Sequence, residues 1–151
     1  MDISIRTASD NDLTAIKKLD QECFPAGSID FEPAAKGEIE RGISAQSVFV
    51  AEVDGEVVGF LQLEKELGSR WELLALAVTS DFRSKSIGTR LMNRLMEEIA
   101  KTKNFPGISV VTNPTNQKMH DLLKRYSFWE AEYLLDYYGP KKDRIRFDLE
   151  R

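Results

Sequence analysis

Residues 78–92 read Val-Thr-Ser-Asp-Phe-Arg-Ser-Lys-Ser-Ile-Gly-Thr-Arg-Leu-Met, and this stretch decides the fold. The apolar run over 71–78 stops as it begins, and a short polar segment with Arg83, two serines and Gly88 follows. Apolar spacing then changes to Ile87, Leu91, Leu95 and Ile99. The switch from an unbroken run to a helical period predicts a strand, a tight turn and a helix over about 86–101. The first turn of such a helix carries backbone N–H groups without intrahelical partners, with the positive end of the helix dipole behind them. Together they form a receptor for phosphate. Most strand-to-helix turns bind nothing, and neither the P-loop pattern nor G-x-G-x-x-G occurs in the chain, so those two named phosphate loops are set aside.

Composition narrows the field. With 151 residues, a single domain over 1–151 with a proper core is the natural expectation. A net charge of −4 points away from nucleic acid and anionic membrane and suits a cationic partner such as an amine. Cys23 is the sole cysteine and His120 the sole histidine, so no internal disulfide forms and no metal site is expected. No apolar leader and no 18-residue apolar run is present, which leads to the expectation of a cytosolic protein.

Going outward from the central stretch, Ile3 and Ile5 alternate as a first strand, and Ser9 or Asp10 can cap a helix carrying Leu13, Ile16, Leu19 and Cys23. Pro33 is expected to open a short second helix with Ile39 and Ile43 inward. Strands over 48–53 and 56–63 flank Asp54-Gly55, a two-residue hairpin signal. The run over 71–78 reads as central and covered on both faces. After the long helix come a strand over 108–112 and a helix opened by Asn113-Pro114-Thr115-Asn116. Met119, Leu122, Leu123 and Tyr126 should face inward there, with His120 on the surface. Strands over 128–136 and 144–150 close the chain around a turn at Tyr137-Tyr138-Gly139-Pro140. The order predicts an α/β (α+β) domain on a mixed sheet of about seven strands with about four helices. The helix after Val78 permits a parallel crossover to the strand at Ile108.

That order, with its turn at Arg83 and with Asn116 opening the next helix, resembles the GNAT superfamily of acyl-CoA-dependent N-acetyltransferases. Two stretches carry the likeness. Arg83-Ser84-Lys85-Ser86-Ile87-Gly88 after Ala77-Val78 is similar to the family's Gln/Arg-x-x-Gly-x-Gly/Ala after Ala-Val. Asn116, Met119, Leu122-Leu123 and Ser127-Phe128 fall where the family shows Asn-x-x-Ala, Leu-Tyr and Gly-Phe. The resemblance implies acetyl-CoA as co-substrate and no metal. It implies that backbone N–H groups of Arg83, Ser84, Lys85, Ser86, Ile87, Gly88 and Thr89 hold the pyrophosphate. Leu76, Ala77 and Val78 would pair with the pantetheine arm as a pseudo-strand, and Asn116 would contact that arm. Asn116 is equally a helix cap, and Lys85 equally a solvated lysine.

Departures from the family pattern matter. Ser86 replaces the first glycine; serine fits there if its φ is negative, and weaker affinity is expected. Leu123 stands where many members carry the tyrosine that protonates the departing thiolate. The thiolate could leave unassisted, Tyr126 could substitute from one helical turn onward, or the protein could bind coenzyme A without turnover. Tyr133, Tyr137 and Tyr138 are further candidates, and core packing is the alternative role of Tyr126. Glu72 matches the catalytic glutamate of the histone-acetylating branch, and the implied catalytic pair is Glu72 with Tyr126. A strand glutamate facing solvent is the competing reading of Glu72. Val111 occupies the position of the glutamate used by ribosomal-protein acetyltransferases. The acceptor, an amine on a small molecule or a protein, should enter near 24–32, 64–70 and 137–143, where Asp30, Glu32, Glu64 and Glu66 could draw in a cation. Tyr137 and Tyr138 could wall the acceptor or make a homodimer contact. Lys141, Lys142, Arg144 and Arg146 are interrupted by acids, so nucleic acid and membrane are not expected partners.

Overall fold

The computed structural model describes residues 2–25, 34–66, 68–83 and 85–150. Seven strands and four α-helices follow one another as β1 (Ile3–Thr7), α1 (Leu13–Cys23), α2 (Glu38–Ser44), β2 (Val48–Val53), β3 (Glu56–Glu64), β4 (Trp71–Val78), α3 (Ile87–Ala100), β5 (Ile108–Thr112), α4 (Gln117–Arg125), β6 (Trp129–Leu134) and β7 (Arg144–Leu149). This is the expected order. Asp54 and Gly55 both take positive φ, 51° and 80°, as a two-residue turn matched to strand twist requires. The second helix differs from expectation: it starts at Glu38, because Gly37 takes a left-handed conformation at its N-cap with φ 79°. Pro33 lies outside the described residues. No helix among the described residues is long and apolar enough to cross a membrane.

All seven strands join one sheet in the order β1-β2-β3-β4-β5-β7-β6. Every pairing is antiparallel except β4 with β5. That parallel contact comprises Trp71 opposite Ile108 and Glu72 opposite Ser109, and goes no further. On its other edge β4 stays paired with β3 from Glu72 to Val78. The register between them slips once, with Leu63 opposite Leu73 but Gln62 opposite Ala75. Leu74 is therefore the extra residue of a β-bulge, and a bulge bends its strand. Past it β4 leans away from β5, and the sheet opens there.

Two apolar layers cover the sheet. On one face Leu61, Leu63, Trp71 and Leu73 pack with Ile87, Leu91, Met92 and Leu95 of α3 and Leu123 of α4. On the other, Phe60 and Ala77 pack with Ile16 and Leu19 of α1 and Ile39 and Ile43 of α2. Gly59 lets α3 close down on the sheet: a Cβ there would sit 3.0 Å from the Ala77 carbonyl oxygen and 3.2 Å from Ile87 Cγ2. The full two-sided cover expected for β4 holds for Trp71, Leu73 and Ala77 only. Leu74, Ala75 and Leu76 are half-buried, because the open sheet leaves them beside a cleft. His120 is buried rather than superficial, at 5% exposure. Its Nε2 lies 2.9 Å from Thr112 Oγ1 and 3.1 Å from the Asn113 carbonyl oxygen, and its ring packs on Phe147. A histidine on an inward helix face is thereby satisfied, and it ties α4 to β5 and β7.

Candidate active site

The opening between β4 and β5 is a slot of about 380 Å³. Leu73 to Leu76 and residues 110–113 form its sides. Asp20, Phe24 and Glu38 approach from the α1/α2 layer, and Asn116 and Met119 from α4. The slot thus has walls from both faces of the sheet. A second cavity of about 310 Å³ adjoins it, lined by Glu72, Tyr137, Arg70 and Arg146. Leu73, Leu74, Val111 and Tyr138 border both.

The bulge also decides which backbone groups face the slot. Trp71 N–H donates to the Gly107 carbonyl on the β5 side at 2.8 Å, whereas Thr79 N–H donates to the Val58 carbonyl on the β3 side at 2.8 Å. Strict alternation would send both the same way; the extra residue reverses the parity. Counting back from Thr79, Val78 and Leu76 turn their polar groups to the open edge, and Ala77 turns its own to β3. The Val78 carbonyl at the end of that edge accepts from Arg83 Nε at 3.0 Å and from the Cys23 thiol at 3.7 Å. Cys23 is half-buried, and burial pushes its thiol up from the ordinary range.

Beyond Val78 the chain reaches the N-terminus of α3. Helix geometry leaves the N–H groups of Ile87, Gly88 and Thr89 without intrahelical acceptors. A Cβ on Gly88 would touch only Leu122 Cδ2, at 3.9 Å. Packing within the protein does not demand a glycine there, so room for a ligand is the better account of it. Ser86, the N-cap, adopts φ 67° and ψ 12°, contrary to the negative φ that would suit serine. This is the left-handed region that favours glycine. Lys85 is exposed beside it, and Ser84 lies outside the described residues. Residues capable of holding a pyrophosphate therefore sit at the end of the open β4 edge. Asn116 lines the slot and also caps α4, its Oδ1 accepting from Met119 N–H at 3.2 Å. Both roles expected of it are compatible.

Of the two catalytic candidates, Glu72 borders the cavity that adjoins the slot. It has no ion pair or side-chain hydrogen bond among the described residues. Its side chain is exposed at the rim, in keeping with the solvent-facing alternative, and partial burial, then the charges of Glu64 and Glu66, raise its carboxyl above the usual carboxylate range. Tyr126 is elsewhere. Its hydroxyl lies 2.6 Å from Asn93 Oδ1 and 3.0 Å from the Thr89 carbonyl oxygen, on the flank of α3, and it lines neither cavity. The geometry gives no support to Tyr126 as the proton donor. Leu123, at 0% exposure, fills the core beneath. Tyr133 is engaged by Asp143 Oδ2 at 2.6 Å, and Tyr137 borders only the second cavity. Tyr138 is the tyrosine of the slot among the described residues, and burial raises its phenol. Sequence reading missed Glu38, which faces the slot from the first turn of α2. Nothing but its place on a short amphipathic helix marks it in the sequence. Asp30 and Glu32 lie outside the described residues. Among the described residues no group of three His, Cys, Asp or Glu side chains could hold a metal ion.

The chain and its fold are similar to known proteins. The chain is 29% identical over 106 residues to an N-alpha-acetyltransferase of Sulfurisphaera tokodaii, covering 63% of this chain and 64% of that protein. It is 27% identical over 109 residues to an N-alpha-acetyltransferase of Sulfolobus acidocaldarius, covering 65% of each. The matched region thus spans slightly under two thirds of the length of these relatives. The fold superposes on Arabidopsis thaliana Naa50 in complex with the bisubstrate analogue CoA-Ac-MVNAL, with a TM-score of 0.84 at 22% identity over all of both chains. A profile described as the acetyltransferase (GNAT) family matches residues 13–128. With strand splay, helix N-terminus and profile in agreement, the chain belongs to the GNAT acetyltransferase family.

Proposed function

We propose that residues 1–151 act as one catalytic domain, an N-acetyltransferase that takes acetyl-CoA and a primary amine together. The observation that carries this reading is the free β4 edge, which opens at Leu73 to Leu76 onto a slot with acidic walls and runs on through Val78 in the chain to the α3 N-terminus. Acetyl-CoA supplies an acetyl group activated as a thioester. Backbone N–H groups of Ile87, Gly88 and Thr89, with the side chains of Arg83 and Lys85, hold the pyrophosphate. Ser84 and Ser86 belong to the same loop by sequence. The outward polar groups of Leu76 and Val78 pair with the pantetheine arm, Ala77 adds apolar contact, and Asn116 borders the arm from α4. Glu72 takes a proton from the acceptor ammonium, and its raised carboxyl makes it a stronger base than an ordinary glutamate. The amine then attacks directly, and the Leu76 N–H, turned to the open edge, steadies charge on the carbonyl oxygen. With leucine at 123, the thiolate leaves unassisted or takes a proton from Tyr138. A peptide or protein N-terminus is the favoured acceptor, because the relatives are named N-alpha-acetyltransferases and the solved neighbour holds a peptide-bearing analogue.

One observation favours a second reading. The position of the family's proton donor is an apolar core residue and Tyr126 faces α3, as a coenzyme A-binding module with little turnover would allow. Release of free thiol from acetyl-CoA, followed with a panel of peptides and amines, separates the two. Release dependent on an amine supports the transferase. Tight acetyl-CoA binding by calorimetry with no release from any amine overturns it in favour of the module.

A further inference from the structure

Resting on the reading that the slot receives an amine, the layout of its acidic side says which amines. Glu38 is held over the slot by a built device. The Gln62 side chain, 2% exposed, donates from Nε2 to the Glu38 carbonyl at 2.9 Å and clamps the first turn of α2 to β3. Gly42 one turn on makes this approach possible, since a Cβ there would lie 2.5 Å from that same Nε2. Glu72 faces the adjoining cavity, and Tyr138 stands between the two compartments. The cations nearby are committed elsewhere. Arg70 pairs with Glu150 and Asp148, and Arg146 with Glu132 and Asp148. Arg144 lies over the Tyr138 ring at 4.9 Å and donates to the Asp143 carbonyl at 2.7 Å.

Glu64, opposite Glu72 in the sheet, acts on both carboxyls. Glu38 is raised by burial first, then by Glu64 and by Asp20 of α1, against a small opposing effect of Arg41 on its own helix. Glu72 is raised by burial, then by Glu64 and Glu66. Among the described residues, Tyr138 from the turn before β7 and Arg144 at the start of β7 also line the slot with Glu38. A single ammonium at Glu72 would leave Glu38 half-buried with, among the described residues, only Arg41 of its own helix acting on it as a cation, and a carboxylate so placed is costly.

We propose that Glu38 is a specificity-determining residue, and that the acceptor carries a second positive charge that Glu38 receives while the reactive amine faces Glu72. A peptide whose free α-amine is followed by lysine or arginine has this chemistry, and so has an aliphatic diamine.

The test is equilibrium binding, by calorimetry, of short peptides that differ only in lysine or glutamine after the first residue. The protein is used saturated with free coenzyme A and also alone, so nothing can react. The lysine peptide should bind about tenfold tighter, as one charge-assisted contact gives. In Glu38→Gln the preference should fall below about twofold. Gln62→Leu keeps the carboxylate but frees α2, and should lose about half of the preference on a logarithmic scale. The preference should grow as pH rises through the raised carboxyl of Glu38, because only the ionised form attracts the second cation. Pairing 1,5-diaminopentane with pentylamine shows whether a diamine or a peptide is the source. Equal behaviour of the lysine and glutamine peptides, or a preference that survives Glu38→Gln, overturns the proposal. Selectivity without turnover would sink the transferase reading and leave this one standing; turnover without selectivity would do the reverse.

Discussion

The two edges of β4 differ more than any other pair of neighbouring regions in the molecule. Towards β3 the strand is paired from Glu72 to Val78 with only the Leu74 bulge between, and Gly59 brings α3 so close that its missing Cβ is part of the packing. Towards β5 it is paired at two residues and then open, and the matching glycine, Gly88, has free space around it. One edge satisfies backbone groups within the protein; the other meets the Val78 carbonyl with Arg83 and Cys23 but turns Leu76 to the slot. Unmet backbone groups near a core cost free energy. An edge left open beside a cleft is thus the mark of a ligand strand, and the single extra residue Leu74 is what separates the two edges.

The largest expected effect lies at Glu72, the last residue paired with β5 before the sheet opens. Glu72→Gln should lower the turnover rate by about a hundredfold or more, as loss of a general base does. The sign of the pH effect follows from the raised carboxyl. The base works when ionised, so wild-type activity should fall as pH drops through that raised value. The variant should lose this acid limb. A rate-pH profile in which Glu72→Gln matches wild type removes Glu72 from the mechanism.

Next come the two glycines, which should respond in opposite ways. Gly59→Ala pushes a methyl to 3.0 Å from the Ala77 carbonyl oxygen. Overpacking of this kind should cost about 2 kcal/mol, or roughly 4–8 °C in Tm for a chain of this size. Gly88→Ala should leave Tm unchanged or slightly higher, since alanine favours the helix by up to ~1 kcal/mol. Its methyl would occupy the space proposed for the pyrophosphate, and coenzyme A affinity should fall about tenfold through one weakened charge-assisted contact. Thermal melts and calorimetry on both variants check the pair. If Gly88→Ala binds as tightly as wild type, the open edge of β4 does not lead to the α3 N-terminus.

Much of this was legible in the sequence because it rests on local chemistry. The run over 71–78 and the helical period that starts at Ile87 located β4 and α3 within a residue of their ends. What escaped depends on distant partners. Leu74 bulges without a glycine or proline to announce it, because the slip is set by pairing with Gln62 and Leu63. His120 reads as polar and therefore superficial, but Thr112 on another strand and the Asn113 carbonyl satisfy it in the core. Tyr126 was correctly expected to face inward, and only the tertiary contact with Asn93 shows that its hydroxyl points along α3. Glu38 carries no motif; it joins the slot because Gln62 clamps its backbone.

The smallest expected effect is at Ser86, where the open edge runs into the helix. Its φ of 67° is a conformation that L-residues other than glycine, asparagine and aspartate adopt rarely. Relief of that strain is partly offset, because glycine gains entropy in the unfolded chain. Ser86→Gly should therefore raise stability by only about 0.5 kcal/mol. Its influence on the ligand is the more informative reading. If the serine hydroxyl donates to the pyrophosphate, glycine will weaken coenzyme A binding by about threefold while Tm rises. If the residue serves only to turn the backbone, affinity will hold or improve, because the N–H groups of Ile87, Gly88 and Thr89 are set by the turn and not by the side chain. Opposite movement of Tm and affinity thus assigns the hydroxyl to the ligand, and movement in the same direction assigns Ser86 to the backbone alone.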